Sequence, residues 1–207
     1  MEFLSHHTDL LFDLLRWRRD VRHFRPDPVD PKLLSKLEEA MALAPSVGNS
    51  QPWRIVSVES QDAREQVINS YQAANADAAA HYETERREKY RSLKLAGLRE
   101  APLHLAVFTD LDPSAGHGLG RRTMPETLVY STVIAVHTLW LAARSVNLGV
   151  GWVSILDPGD VHQCLDVSPA WQLTAYLCLG HPKFDDDTPE LERKEWQGKS
   201  KTSWLVR

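Results

Sequence analysis

Apolar residues recur at helical spacing in the first fifth of the chain. A stripe of leucines predicts a helix over residues 8–19, with Thr8 as its cap. A second helix should begin after Asp30, because Asp is a good N-cap and Pro31 suits the first helical position. Pro45 should end that helix.

Short apolar runs and alternating patterns further along the chain predict four strands. They are residues 53–58, 102–110, 149–156 and 173–180. Helices are predicted between them at residues 61–97, 123–147 and 157–165. Helices and strands mix without a regular alternation, which favours an α+β fold over a doubly wound sheet.

Residues 128–150 are apolar enough to raise the question of a membrane span. Arg144 and Asn147 lie awkwardly within such a span, so no membrane association is expected and a buried helix is favoured. A helix that is apolar on nearly all sides must be covered all round. In a chain of 207 residues, a second subunit would be the cover, which predicts a homodimer.

Composition and charge narrow the choice of function. A length of 207 residues suits a single domain over residues 1–207, and a net charge of −4 gives no broad reason to bind nucleic acid. The two cysteines, Cys164 and Cys178, cannot form a disulfide framework. With no signal-peptide pattern at the start, a cytoplasmic location is expected.

Several familiar chemistries have no support in the motifs. The nine histidines show no ligand spacing, so no metal site is predicted. The stretch GHGLG, residues 116–120, lacks the context of a dinucleotide-binding loop. No Gly-x-Ser-x-Gly elbow is present, which argues against a serine hydrolase.

Three polar segments remain, and each has two interpretations. RWRRDVRHF, residues 16–24, suits a helix C-terminus, but its guanidinium groups also suit phosphate. APSVGNSQPWRIV, residues 44–56, is a turn or a ligand-binding loop. ETERREKYRSLK, residues 83–94, is a solvated helix or a mobile lid.

Taken in order, RRDVRHF, APSVGNSQPWRIV and GVGWVSIL resemble the FMN-binding nitroreductase superfamily over essentially the whole chain. Four further segments are similar to its flavin-destructase branch: LREAPLHLAVFTD, GRRTMPETLVYSTVIAVHTLWLAAR, AYLCLGHP and PELE. Asp20 is also similar to this branch, since many other relatives carry Ser there. The resemblance implies a mixed sheet sandwiched by helices. It also implies an intertwined homodimer with two FMN sites at the interface.

The resemblance implies the site residues as well. The expected FMN contacts are Arg18, Arg19, Asp20, Val21, Arg22, Ser46, Gly48, Asn49, Gln51, Trp152, Val153 and Ser154. Asp20 and Ser154 would be catalytic, with the three arginines favouring the ionised form of Asp20. Lys199 and Lys201 either reach the phosphate or lie in a solvated tail.

The implied reaction is the oxygen-dependent fragmentation of reduced FMN to 5,6-dimethylbenzimidazole and erythrose 4-phosphate, with no metal. A separate flavin reductase would supply reduced FMN. Residues of about 70–97 would form a helical lid, and about 182–207 a C-terminal extension.

Three alternatives stay open beside this reaction. One is an NAD(P)H-dependent nitroreductase or flavin reductase, and another is an FMN storage or sensing protein. The third, iodotyrosine deiodinase, is disfavoured because its Glu-x-x-x-Tyr lid pattern is absent.

Overall fold

The computed structural model describes residues 1–207. The helices are α1 (Ser5–Trp17), α2 (Pro31–Ala42), α3 (Gln61–Ala80), α4 (Thr84–Ser92), α5 (Thr127–Ser145), α6 (Pro158–Leu165) and α7 (Glu190–Arg193). The strands are β1 (Trp53–Ser57), β2 (Leu103–Asp110), β3 (Gly149–Val153) and β4 (Trp171–Gly180). Short 3-10 turns cover Val47–Asn49 and Ala115–Gly118.

The four strands form one sheet in the order β1-β2-β4-β3, so β1 and β3 are its two edges. All three strand pairings are antiparallel. A mixed sheet was expected, and the single parallel pairing is a bridge between Asp20 and Val150 at the β3 edge. The α+β class is confirmed.

Alternating side chains of the central strands divide the core into two layers. Ala106 and Phe108 of β2 face a cluster that includes α3 and α6 residues such as Val67 and Val161. The intervening Val107 faces a second cluster, which includes residues of α2 and α5. The expected sheet sandwiched by helices is therefore observed.

The N-terminal caps of the first two helices were predicted correctly in one case and wrongly in the other. Asp30 accepts a hydrogen bond from the Lys32 amide at 2.9 Å, as predicted for the start of α2. The prediction for α1 is wrong, since the helix begins at Ser5 and Thr8 lies inside it. The side chain of His7 provides the cap instead, because its Nδ1 accepts from the Leu4 amide at 3.0 Å.

Two helices keep apolar side chains on the surface of the single chain. No residue of α1 is buried, and Phe12 is 59% exposed. Helix α5 was predicted to begin at residue 123, but it begins at Thr127, after Pro125. Its side chains Val133 and Ile134 are exposed. The predicted all-round cover of α5 is thus not supplied by this chain alone. None of the helices combines the length and the apolar character that crossing a membrane requires.

Candidate functional site

The segment after α1 docks on the open edge of β3. The Val21 amide donates to the Val150 carbonyl at 3.0 Å, and the Trp152 amide donates to Asp20 Oδ1 at 2.9 Å. Gly151 permits this approach, because a Cβ there would overlap the Val21 carbonyl oxygen. Asp20, Val21 and Trp152, three predicted site residues, are therefore brought together.

Only one of the three expected arginines pairs with Asp20. Arg22 Nε lies 2.8 Å from Asp20 Oδ2, and Arg22 Nη1 donates to the Lys94 carbonyl at 3.0 Å. Arg19 turns toward the C-terminal part of the chain, where its Nε donates to the Asp187 carbonyl at 2.8 Å. Of the three arginines, Arg22 alone contacts Asp20 directly. Because the helix ends at Trp17, Arg18 and Arg19 project in different directions.

Arg18 is a half-buried cation without an anionic partner. Its guanidinium carbon lies 4.8 Å from the ring centroid of Trp140, and it makes no ion pair or hydrogen bond. Burial lowers the pKa of Arg18 below its ordinary value, and repulsion from Arg19 adds to this, whereas Asp20 raises it. A phosphate group placed here would compensate the buried charge.

The residues that end β3 differ in what they can offer a ligand. Trp152 is half-buried, and its ring lies 6.5 Å from that of Trp140. Val153 is buried in the core, so only its backbone could contact a ligand. Ser154 is exposed, and its hydroxyl has no partner in the chain. The turn that follows is fixed to α3, since the Asp157 amide donates to Ser70 Oγ at 3.1 Å.

The loop of residues 46–51, which precedes β1, is held by two backbone turns and by the hydroxyls of Ser46 and Ser131. The Gln51 amide donates to Ser46 Oγ at 3.0 Å, so the Ser46 hydroxyl already stabilises the loop. Gly48, Asn49 and Gln51 all have positive φ, of 58°, 56° and 43°. Asn49 and Gln51 are exposed. Their amides offer both donors and acceptors to a ligand.

A second loop, residues 115–121, packs on the first and is absent from the predicted site. Gly116 has a φ of 77°, and a Cβ there would lie 2.8 Å from the Gly48 carbonyl oxygen. A Cβ on Gly120 would likewise lie 2.8 Å from Val47 Cγ2. The closely spaced glycines of GHGLG were the available signal. They serve close backbone packing rather than nucleotide binding.

The two groups of predicted site residues lie at opposite edges of the sheet. One group borders β3, and the other precedes β1. With about 4.8 Å between neighbouring strands, three steps separate the edges by roughly 14 Å. No hydrogen bond or ion pair joins the groups. One chain therefore does not assemble all twelve residues into one cluster.

The charged segment of the predicted lid is less free than its composition suggests. On α4, Tyr90 is buried, and its hydroxyl donates to Asn75 Oδ1 of α3 at 2.7 Å.

Of the two tail lysines, Lys199 lies 3.9 Å from Glu192, and Lys201 is exposed. No cluster of potential metal ligands is present.

The residues near β3 fit a phosphate-bearing flavin. Arg18 provides an uncompensated cation, Trp152 a partly exposed ring, and Asp20 a fixed carboxylate. The exposed amides of Asn49 and Gln51 suit the polar edge of such a ring, although they lie at the other edge of the sheet.

Comparison with known proteins gives matches over almost the whole chain. Residues 15–181 match the model of the nitroreductase family. The chain is 53% identical to a 5,6-dimethylbenzimidazole synthase of Rhodobacter capsulatus, with 99% of both chains covered. It is 54% identical to a synthase of the same name from Rhodospirillum rubrum, covering 92% of this chain and 90% of the relative.

Among solved structures, the chain is similar in fold to an oxidized iodotyrosine deiodinase bound to FMN and 3-iodo-L-tyrosine. The TM-score is 0.73 at 22% identity, with 95% of this chain and 97% of the deiodinase covered. At this identity the likeness concerns the fold alone.

Proposed function

The chain is an enzyme of the nitroreductase family and belongs within it to the 5,6-dimethylbenzimidazole synthases, and we propose that it fragments reduced FMN with molecular oxygen. The products would include 5,6-dimethylbenzimidazole, the lower ligand of cobalamin, and erythrose 4-phosphate, and the pyrimidine portion of the flavin ring would leave as a further product. The observation that carries the proposal is the fixed carboxylate of Asp20, held between the Trp152 amide and Arg22 beside the strand that leads to Ser154.

FMN would be held by groups from both edges of the sheet. Arg18 would receive the phosphate, because its half-buried guanidinium has no other anion. Asn49 and Gln51 would meet the polar edge of the ring, and Trp152 would line it. Bound FMN supplies a redox-active isoalloxazine ring, which in this reaction is also the substrate.

Asp20 would accept and return a proton. Trp152 and Arg22 each occupy one lone pair of the carboxylate, and an ionised carboxylate has roughly four such sites, so acceptor capacity remains. The carboxylate is 32% exposed and thus accessible to a ligand. Ser154, with its unpartnered hydroxyl, would orient the reacting groups.

Two copies of the chain would form the sites together. A second copy would bring its own loop of residues 46–51 to the β3 edge of the first. It would also cover exposed apolar residues such as Phe12 and Ile134. A sedimentation mass of one chain at micromolar concentration, in the presence of FMN, would contradict this arrangement.

The direct test supplies reduced FMN and oxygen to the purified protein and measures 5,6-dimethylbenzimidazole by mass spectrometry. We expect the flavin absorbance to disappear as product forms, and Asp20→Asn to slow product formation by about 100-fold or more. Native-rate synthesis by Asp20→Asn would remove Asp20 from the mechanism. Clean reoxidation of FMN without product would favour an NAD(P)H-dependent nitroreductase or flavin reductase instead.

Reduced FMN would come from a separate flavin reductase. We also propose a cytoplasmic location, where such a reductase can supply it; the two cysteines, neither of which forms a disulfide, are compatible with a reducing compartment. Replacing chemically reduced FMN with FMN and NADH should stop synthesis, and adding a flavin reductase should restore it.

A further inference from the structure

The C-terminal part of the chain packs an aromatic ring against the charged helix α4. Trp196 lies 5.5 Å from Tyr82 and 6.0 Å from Tyr90, measured between ring centroids. The Arg86 guanidinium carbon lies 4.6 Å from the centre of the Trp196 ring. Ring pairs and cation–π contacts of this geometry are attractive. We call Tyr82, Tyr90 and Trp196 the aromatic cluster.

Backbone contacts bring Trp196 to this position. The Trp196 amide donates to the Leu191 carbonyl at 2.8 Å, which folds the chain back after α7. Lys89 Nζ of α4 donates to the Glu195 carbonyl at 2.6 Å. The aromatic contact is therefore supported by a polar contact from Lys89, the residue that precedes Tyr90 in α4.

Helix α4 depends on such contacts. It has nine residues, six of them charged, and Tyr90 is its one buried residue. Isolated helices shorter than about 12 residues are marginal in water, so tertiary packing must hold this one. Its anchors are the hydrogen bond from Tyr90 to Asn75, two hydrogen bonds from Arg87 to the turn before α4, and the aromatic cluster.

The same C-terminal segment, residues 187–196, also contacts the arginine-rich segment, residues 16–24. Asp187 accepts hydrogen bonds from Arg19, and His23 Nε2 lies 3.2 Å from Glu190 Oε1. On the other side, Arg22 donates to the carbonyl of Lys94, just after α4. Helix α4 is thus tied to residues 19–23 in two ways, through the C-terminal segment and through Lys94.

We propose that Trp196 is a positioning residue that latches α4 to the C-terminal segment, so that α4 opens only when the aromatic cluster comes apart. The part of this inference that concerns FMN rests on the proposed function. In that reaction a closed α4 would retain FMN and exclude water. Opening would require the loss of the aromatic cluster, not movement of α4 alone.

The first test is limited trypsin digestion of the protein without flavin, because Arg86, Arg87, Lys89 and Arg91 are cleavage sites within α4. Trp196→Ala should raise cleavage there by about tenfold, since proteolysis follows the population of the open form. Trp196→Phe should restore most of the protection. The matched control is Trp204→Ala, because Trp204 is 95% exposed and should change nothing.

The second test measures FMN release. Trp196→Ala should raise the dissociation rate of FMN, Trp204→Ala should leave it unchanged, and Trp196→Phe should restore it. Equal cleavage of Trp196→Ala and Trp204→Ala would overturn the latch, even if 5,6-dimethylbenzimidazole is made. Protection that depends on Trp196 without any product would refute the proposed function and leave the latch standing.

Global destabilisation needs its own control. If Trp196→Ala lowers the urea midpoint of the whole chain, Arg86→Ala decides the question, because Arg86 is exposed and contacts the ring. Because Arg86→Ala removes one trypsin site, cleavage is compared at Arg87, Lys89 and Arg91. Faster cleavage at these sites with an unchanged urea midpoint would support the latch, and unchanged cleavage would refute it.

Discussion

The two edges of the sheet are built in different ways. At the β3 edge, side-chain atoms hold the structure, since both carboxylate oxygens of Asp20 are engaged, one by the Trp152 amide and one by Arg22. At the β1 end, the loop of residues 46–51 is held by the hydroxyls of Ser46 and Ser131 and by backbone fit against Gly116. The amides of Asn49 and Gln51 stay exposed.

This difference separates two kinds of site residue. At the β3 edge the group proposed for chemistry also holds the fold, so one substitution should damage both. In the loop, the glycines that shape the backbone and the amides proposed to meet the ligand are different residues. Stability and ligand binding should therefore be separable there but not at the β3 edge.

The largest loss of stability should follow Gly151→Ala, because the added Cβ displaces the Val21 segment from β3. Because a Cβ would overlap a backbone oxygen that cannot rotate away, we expect a loss of about 3 kcal/mol of unfolding free energy. Urea unfolding measures this. Gly198→Ala is the matched control, since no atom lies within 4 Å of its Cβ position. Equal stability of the two variants would show that the β3 edge is not rigidly closed.

A second large loss of stability should come from lowering the pH, through His104, which lies on β2 between the two edges of the sheet. It is fully buried, with Nδ1 hydrogen-bonded to the Tyr176 hydroxyl at 3.0 Å. Burial, with a smaller contribution from Arg64, lowers the pKa of His104 to about 4. Between pH 6.5 and 4 the unfolded chain therefore binds a proton that the folded chain does not, and stability is lost as the pH falls.

From pH 7 to pH 5 the loss should be about 2 kcal/mol. Urea unfolding at both pH values measures it, and His104→Gln should flatten the dependence. Because His104 lies on β2, a central strand of the sheet, acid should destabilise both edges of the sheet together. A slope that persists in His104→Gln would assign the acid sensitivity to other groups.

The elements were largely predictable because their signals are local. The N-caps Asp30 and Asp157 and the glycines that open β3 mark boundaries in the sequence itself. The start of α1 was missed because its cap is the side chain of His7, a residue type that capping rules do not favour. Sheet order and register depend on contacts between distant residues, which no local pattern encodes.

The sequence predicts candidate site residues by their type but not their arrangement. Asp20 pairs with the nearby Arg22, but Arg19 contacts Asp187, which lies 168 positions further along the chain. The support of Gly48 by Gly116 is equally distant in sequence. Such pairings follow from the fold, so the sequence names candidate residues without placing them.

A smaller effect should follow Gly116→Ala, which tests the backbone fit in the loop. We expect a loss of about 1–2 kcal/mol, because the strain is confined to two surface loops and is partly relieved by their movement. Gly118→Ala separates the causes, since Gly118 has a similar φ of 75° and its Cβ position meets only Arg121 Nε, at an ordinary contact distance of 3.7 Å. Gly116→Ala should weaken FMN binding more than Gly118→Ala does. Equal effects would attribute the loss to φ strain alone and not to contact with Gly48.

The smallest change in stability should come from Asn49→Asp, which is the mirror image of Asp20→Asn. Asn49→Asp removes an exposed amide donor and keeps the shape, so unfolding free energy should change by less than about 0.5 kcal/mol. FMN affinity should still fall by about tenfold, the size expected from one lost hydrogen bond. Asp20→Asn, by contrast, leaves the guanidinium of Arg22, 11% exposed, without its carboxylate and should cost about 1 kcal/mol or more. Urea unfolding and flavin fluorescence titration of both variants compare the two edges directly. If Asn49→Asp loses as much stability as Asp20→Asn, the loop amide also holds the fold, and the separation between scaffold and ligand contacts at that edge is wrong.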